Sequence, residues 1–356
     1  MSGSIRLAVL IVSILSYARS APELELSGPG LDLSSAYPET SLRELQPQYE
    51  IATKPLLAAL MGQFPGQPPG LNSDQRKRLA PVKLRFPLPS EQSGAESVYR
   101  GDPLAFYSRS DPPEIVMPVL SLKFLSDVCL AYVWLNRSGH DPSTPSIYMK
   151  LLKYNRPDRF PNGRYPPLLE AVGIPENARS DPAIESRFNV TVNHERVFIL
   201  LHELGHIFYQ HDTSGGDQQT KELQADTFAL EAMRTLETPP TPIYFTMAAN
   251  LQLNRSDFPS DTAWRQYLKG LSHPANEQRL QHEADFLRKN AKEFAGGKES
   301  TQDYADVLEM ANIFESLGKL AAAPESPMVP ARSRLVDLSV LNLRKSTNDS
   351  KSGVKP

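Results

Sequence analysis

Cysteine is all but missing from this chain, which has one, Cys129, among 356 residues. An intramolecular disulfide is therefore excluded, and the fold has to hold by a hydrophobic core, which a chain of this length can build. Cys129 sits in an apolar stretch and reads as a small buried hydrophobe rather than a nucleophile. Long apolar runs are missing too: beyond the N-terminus none reaches the roughly 18 residues that a membrane-crossing helix needs. Nor is charge of one sign concentrated, apart from a short basic turn at Gln75-Arg76-Lys77-Arg78; the formal net charge is −3 with both signs interspersed. Without a basic field there is no electrostatic basis for binding DNA or RNA, and no nucleic-acid partner is expected. What remains is an ordinary globular composition, 40% hydrophobic, of a length that allows one large domain or two small ones.

Against that plain background one stretch stands out, His202-Glu203-Leu204-Gly205-His206. From Asn193 to His211 there is no proline, Asn193 is a suitable N-cap, and Val197 to Leu201, Leu204, Ile207 and Phe208 are apolar nearly all round. The pattern predicts a helix running through a core, with His202, Glu203 and His206 as its polar interruptions. Histidines four apart lie one turn apart on the same face, so both imidazoles can reach one metal ion with Glu203 beside them. The plainer alternative is two core histidines satisfied by hydrogen bonds. A buried polar group without a partner costs roughly 1–3 kcal/mol, and a cation would compensate all three residues at once.

Zinc needs a third protein ligand, and the next segment offers one. Gly215-Gly216 marks a turn, after which Asp217 to about Leu236 has helical composition, with Glu222 and Asp226 four apart on one face. A helical hairpin would aim Glu222 at the histidine pair as third ligand. Asp226 would then accept a ring N–H of one ligating histidine and fix its tautomer. His194, His211, His140 and His282 have no partner at ligand spacing and are left out of the site.

Together, HELGH and Glu222-Leu223-Gln224-Ala225-Asp226 resemble the gluzincin zinc metallopeptidases. Within them the chain is most similar to the family of CAAX prenyl proteases, heat-shock-linked membrane peptidases and periplasmic quality-control peptidases. That family also carries Ser/Thr-His-Pro followed by an arginine, matched here by Ser272-His273-Pro274 and Arg279. The likeness covers roughly residues 190–290. The gap from His206 to Glu222 is shorter than in that family, and no transmembrane helix follows the motif; a compact gap is similar to the gluzincins that cleave phage repressors. The motifs thus point to the clan and leave the subfamily open. The resemblance implies a mainly helical α+β fold, with a zincin-like core, a small sheet and an active-site helix carrying HExxH. It also implies one Zn2+ per chain and hydrolysis of protein or peptide substrates, and suggests a role in envelope protein quality control.

The rest of the chain divides by composition. Residues 1–20 read as a secretory signal, with Arg6 as n-region, Leu7 to Leu15 as h-region and Ala18-Arg19-Ser20 before a cleavage point at Ala21. Export with a single cysteine fits a bacterial periplasm best. Residues 21–100 are rich in proline and glycine, with Phe64-Pro65-Gly66-Gln67-Pro68-Pro69-Gly70 as the clearest breaker, and read as a tail, partly extended and partly wrapped on the core, or as a propeptide. Residues 101–322 are the expected metallopeptidase domain. In it, Leu104 to Tyr107 and Ile115 to Leu122 favour strands, and Pro118 marks the second as an edge to which an extended peptide could add. Helices are expected at 122–135, 147–154, 243–253, 277–294 and 302–320, and residues 323–356 read as a disordered tail.

With His202, His206 and Glu222 on zinc, a fourth position stays open for water, Glu203 acts as general base and then general acid, and Asp226 supports a ligand. By family position His273 is the first candidate for the donor to the developing oxyanion; a second reading makes it a fourth ligand that closes the site, and a third only a helix cap at Pro274. Tyr267 and Arg279 are candidates for substrate or transition-state contacts by nearness in sequence. Two rivals to the endopeptidase are a zinc amidase acting on cell-wall peptides and a non-catalytic binding or holding module that retains the motif.

Overall fold

Prolines begin helices here more often than they end them. In a computed structural model, which describes residues 31–64, 69–253, 255–271, 273–322, 336 and 338–341, the chain runs α1 (Glu39–Leu60), α2 (Ser73–Leu79), β1 (Lys83–Arg85), β2 (Tyr107–Ser110), β3 (Pro113–Val116), α3 (Val119–Arg137), α4 (Thr144–Tyr154), α5 (Leu168–Ala171), α6 (Pro182–Tyr209), α7 (Gln218–Thr235), α8 (Ile243–Leu251), α9 (Asp261–Gly270), α10 (Glu277–Lys289), α11 (Ala291–Phe294) and α12 (Gln302–Ala322). Pro38, Pro118, Pro167 and Pro242 stand at the N-caps of α1, α3, α5 and α8. At the first turn a proline loses nothing, because its missing N–H has no partner inside the helix anyway. The fold is mainly helical with one small sheet, as expected.

The helix that carries HELGH starts earlier than Asn193. Asp181 caps it, accepting from the Ala183 amide at 2.8 Å, and Pro182 occupies its first turn. The local rule that makes Asn193 a cap is outweighed by burial: Ile184, Phe188 and Val192 continue the apolar face of α6 back to Pro182. α7 follows as the antiparallel partner, its Asp217 cap accepting from the Thr220 amide at 3.1 Å. Gly205 lets the two helices meet, since a Cβ there would lie 3.0 Å from the Ala225 Cα and 3.1 Å from the Phe228 Cβ.

The sheet has the order β1-β3-β2. β1 runs parallel to β3 with Leu84 opposite Ile115, and β2 runs antiparallel with Ser108 opposite the same residue. β2 starts at Tyr107, where the expected first strand ends, and β3 is shorter than the expected second. β3 ends at Val116, and Pro118 leads into α3 instead of interrupting a strand. The edges are therefore β1 and β2, not β3, and β2 packs along α6. α3 is long and apolar enough to cross a membrane by those criteria, but 67% of its apolar window is buried within the fold. Phe124, Leu125, Val128 and Cys129 form the centre of the core there.

Residues 31–100 do not hang from the domain as a tail, over the part described. Leu33, Leu42, Leu60, Leu71, Leu79, Phe86 and Leu88 are all buried in the common core, and β1 supplies one side of the sheet. Apolar residues spaced between the prolines do this: each short piece buries one face, which overrides the breaker composition. At the other end, Val336 and Leu341 are buried as well, and the Val336 amide bonds to the Arg159 carbonyl, so these residues of the expected tail are packed. The secretory signal at 1–20 lies outside the described residues.

Candidate metal centre

α6 and α7 bring His202, Glu203, His206, Glu222 and Asp226 to one place, and the chain leading into α10 brings His273 to the same place. Nε2 of His202 faces Nε2 of His206 at 3.0 Å. Nδ1 of His273 lies 3.2 Å from His202 Nε2 and 2.9 Å from Glu222 Oε2. Glu222 carboxylate oxygens lie 3.4 Å from His202 Nε2 and 3.5 Å from His206 Nε2. Nitrogen and oxygen ligands about 2.0–2.1 Å from a tetrahedral zinc are separated by about 3.3–3.4 Å, so these spacings are close to the edges of such a site. All four ligand atoms lie within 4.8 Å of one another, and His202 and Glu222 are buried. The set can hold a metal ion; N and O donors of this kind suit zinc.

Charge points the same way. Burial raises the Glu222 carboxyl, but His273 and Arg279 outweigh it and hold the group well below the usual carboxylate range. Burial also opposes ionisation of Glu203 and Asp226, yet His273 brings Glu203 down to about 2 and Arg279 does the same for Asp226. Burial, and then the neighbouring His202, lower His206 to about 3, which leaves it a neutral imidazole with a lone pair to give. His202 and His273 are instead pushed up despite burial, His202 chiefly by Asp226 and His273 by Glu222 and Glu203. Three carboxylates are thus packed against Arg279 and two imidazoles whose charged form their surroundings favour. A divalent cation can stand in for protons at such a site, so metal and proton compete for it.

Around the ligand atoms each side chain is anchored. Asp226 Oδ1 lies 2.8 Å from Nδ1 of His202, the ring atom turned away from the cluster, though not aligned for a hydrogen bond. Nε2 of His273 donates to the Phe106 carbonyl at 2.9 Å, with Glu203 Oε1 at 3.2 Å. Phe106 directly precedes β2, so the edge strand reaches the cluster. The Gln218 amide donates to Glu222 Oε1 at 2.8 Å. Glu203 is buried, and its Oε2 has no hydrogen-bond partner among the described residues.

The other candidates fall differently. Arg279 is fully buried and pairs with both oxygens of Asp226 at 2.7 Å, while its Nη1 lies 3.1 Å from Glu222 Oε2. A guanidinium held this way supports the ligand shell and has no face left for substrate. Tyr267 lies apart: its hydroxyl accepts from the Leu253 amide at 2.9 Å, and its ring packs with Phe258 and Trp264. Asn276, not His273, caps α10, accepting from the Arg279 amide at 3.0 Å. Ser272 lies outside the described residues.

Three residues near the cluster were not legible in sequence. Tyr244 is buried between Phe106 and Phe198, close enough to feel His273, Arg279, Glu203 and Glu222, and burial pushes its hydroxyl up to about 12. Glu195 is buried two turns before His202 on α6 and accepts from the Thr241 hydroxyl and the Ile243 and Tyr244 amides, which caps α8 from outside. His211 lies against His206, at a spacing no ligand rule picks out. No protein-family model, curated protein or solved structure matches the chain, so its own geometry has to carry the functional reading.

Proposed function

We propose that this chain is an exported zinc-dependent endopeptidase of gluzincin type. His202, His206 and Glu222 would hold the ion, which when bound supplies Lewis-acid activation of water and of the scissile carbonyl. The observation that carries the reading is Glu203. A metal site serving structure alone needs four ligands and no more, yet a further buried carboxylate stands beside this one with Oε2 unpartnered. That oxygen is placed to accept a proton from an attacking water and to return it to the leaving amine. Asp226 holds the His202 tautomer, and Arg279 keeps Asp226 and Glu222 ionised. Substrate would be protein or peptide, with β2 the nearest strand edge.

His273 belongs to the ligand set here, which fits the reading in which it closes the site until substrate displaces it. The same fourth ligand is the observation that favours the rival, a non-catalytic binding or holding module with a closed zinc site. Zinc content and cleavage, measured together, separate them. The mature protein in metal-free buffer should hold about one zinc, and Glu222→Ala should hold little. Glu203→Gln should keep the zinc and lose cleavage by about 100- to 10,000-fold on protein and peptidoglycan substrates tested side by side. Cleavage unchanged by Glu203→Gln sinks the mechanism, and zinc bound with no cleavage by any variant favours the holding module. His273→Ala should raise cleavage if the imidazole closes the site, and abolish it if the imidazole is a transition-state donor.

A further inference from the structure

His211 sits five residues beyond His206, off the face of α6 that carries the ligands, and is buried. α6 ends at Gln210 in the left-handed conformation (φ 56, ψ 45), which folds the chain back so that the His211 amide donates to the His206 carbonyl at 3.0 Å. The imidazole comes back with it. Its Nδ1 lies 2.9 Å from Nδ1 of His206, and its Nε2 lies 3.0 Å from Oε1 of Gln224 on α7. Tyr209 stacks on the ring, with centroids 5.5 Å apart and planes at 17°. Lys221, also from α7, donates to the His211 and Ser214 carbonyls and pins the connection between the helices.

We propose that His211 and Gln224 form a positioning pair that sets the tautomer of His206 and so tunes metal affinity. The inference rests on the metal-site reading above. His206 turns Nε2 towards the other ligand atoms, so as a ligand it keeps its lone pair there and its proton on Nδ1. That proton can only be given to His211 Nδ1, which must then accept, leaving the His211 proton on Nε2 to be given to the Gln224 carbonyl oxygen. With the Gln224 carbonyl towards His211, every donor in the chain meets an acceptor and His206 Nε2 keeps its lone pair; with the amide nitrogen there instead, the protons run the other way. An acceptor at 224 stabilises that arrangement. A donor at 224 reverses it, moves the His206 proton to Nε2 and blocks the ligand atom. His202 has a carboxylate, Asp226, in the corresponding place; His206 has a neutral relay instead, which makes it the ligand whose basicity can be changed from an exposed position.

Residue 224 is exposed, so substitutions there leave the core alone and a purely structural role would not tell them apart. The test is the zinc dissociation constant of the full chain, measured by competition with a chromophoric chelator, for the parent, Gln224→Glu, Gln224→Lys and His211→Phe. Gln224→Glu, an acceptor, should bind zinc as tightly as the parent or more so; Gln224→Lys, a donor only, should bind about 10- to 100-fold more weakly. His211→Phe keeps a ring against Tyr209 but no acceptor and should lose affinity over the same range; if it fails to fold, the pair at 224 still decides. Equal affinity for Gln224→Glu and Gln224→Lys overturns the inference while leaving the metal site standing. A parent that binds no zinc overturns both.

Discussion

Arg279 carries more of the site than its place in the sequence suggests. It is fully buried, and the two carboxylates it pairs with, Asp226 and Glu222, have no exposure either. Removing one member of a buried ionic group leaves the others uncompensated, at a cost of about 3–5 kcal/mol. Arg279→Met is therefore expected to lower unfolding free energy by that amount, read by urea denaturation, and to weaken zinc binding with it. Arg279→Lys should recover little, because an ammonium cannot make the paired bonds to Asp226. Had Arg279 contacted substrate instead, stability would stay unchanged and only KM would rise. The histidine pair and Glu203 were readable from spacing because a helix repeats every 3.6 residues, and Glu222 and Asp226 repeat the same device on α7. Tyr244 and His211 were not, because each reaches the cluster through a turn or a helix packing that no local spacing encodes, and Glu195 acts only through the start of α8.

At the scale of elements, α6 does more than present ligands. Glu195, seven residues before His202, holds the start of α8 from outside, so the helix that positions Tyr244 is docked on α6 itself. Burial raises the Glu195 carboxyl from 4.5 to about 7, against the three hydrogen bonds it accepts. A group whose folded value is raised stabilises the fold below its unfolded value and loses that contribution as pH rises to the folded one. At 1.36 kcal/mol per unit the loss between pH 4.5 and about 7 comes to about 3 kcal/mol. Glu195→Gln should flatten this part of the stability profile, and its advantage over the parent should grow across that window when urea unfolding is followed against pH. An unchanged difference across the window would mean that Glu195 is already charged at low pH in the folded protein.

Across the whole molecule, the region before residue 101 is built into the fold. β1 covers one side of β3, and α1 packs on α3 and α6, burying Leu42, Tyr49 and Leu60. A chain that begins at residue 101 would leave those faces and a sheet edge open. It is expected to lose cooperative thermal unfolding and to be digested rapidly by an added protease. If 21–100 were instead a removable propeptide, the shortened chain would melt cooperatively and cleave better than the parent.

What the sequence determines by itself is the local chemistry. Helical periodicity places His202 with His206 and Glu222 with Asp226, the glycines mark the turn between the helices, and the lone Cys129 rules out a disulfide frame. All of these are short-range relations, governed by bond geometry within one helix or turn. Tertiary structure alone decides that His273 stands with His202, His206 and Glu222 in a group able to hold a metal ion, that Arg279 turns inward, that Tyr267 packs with Phe258 and Trp264, and that much of the proline-rich N-terminal region is core. Those outcomes depend on which surfaces meet, and burial there overrides local propensity because it moves far more apolar area out of water than a single cap or breaker can offset.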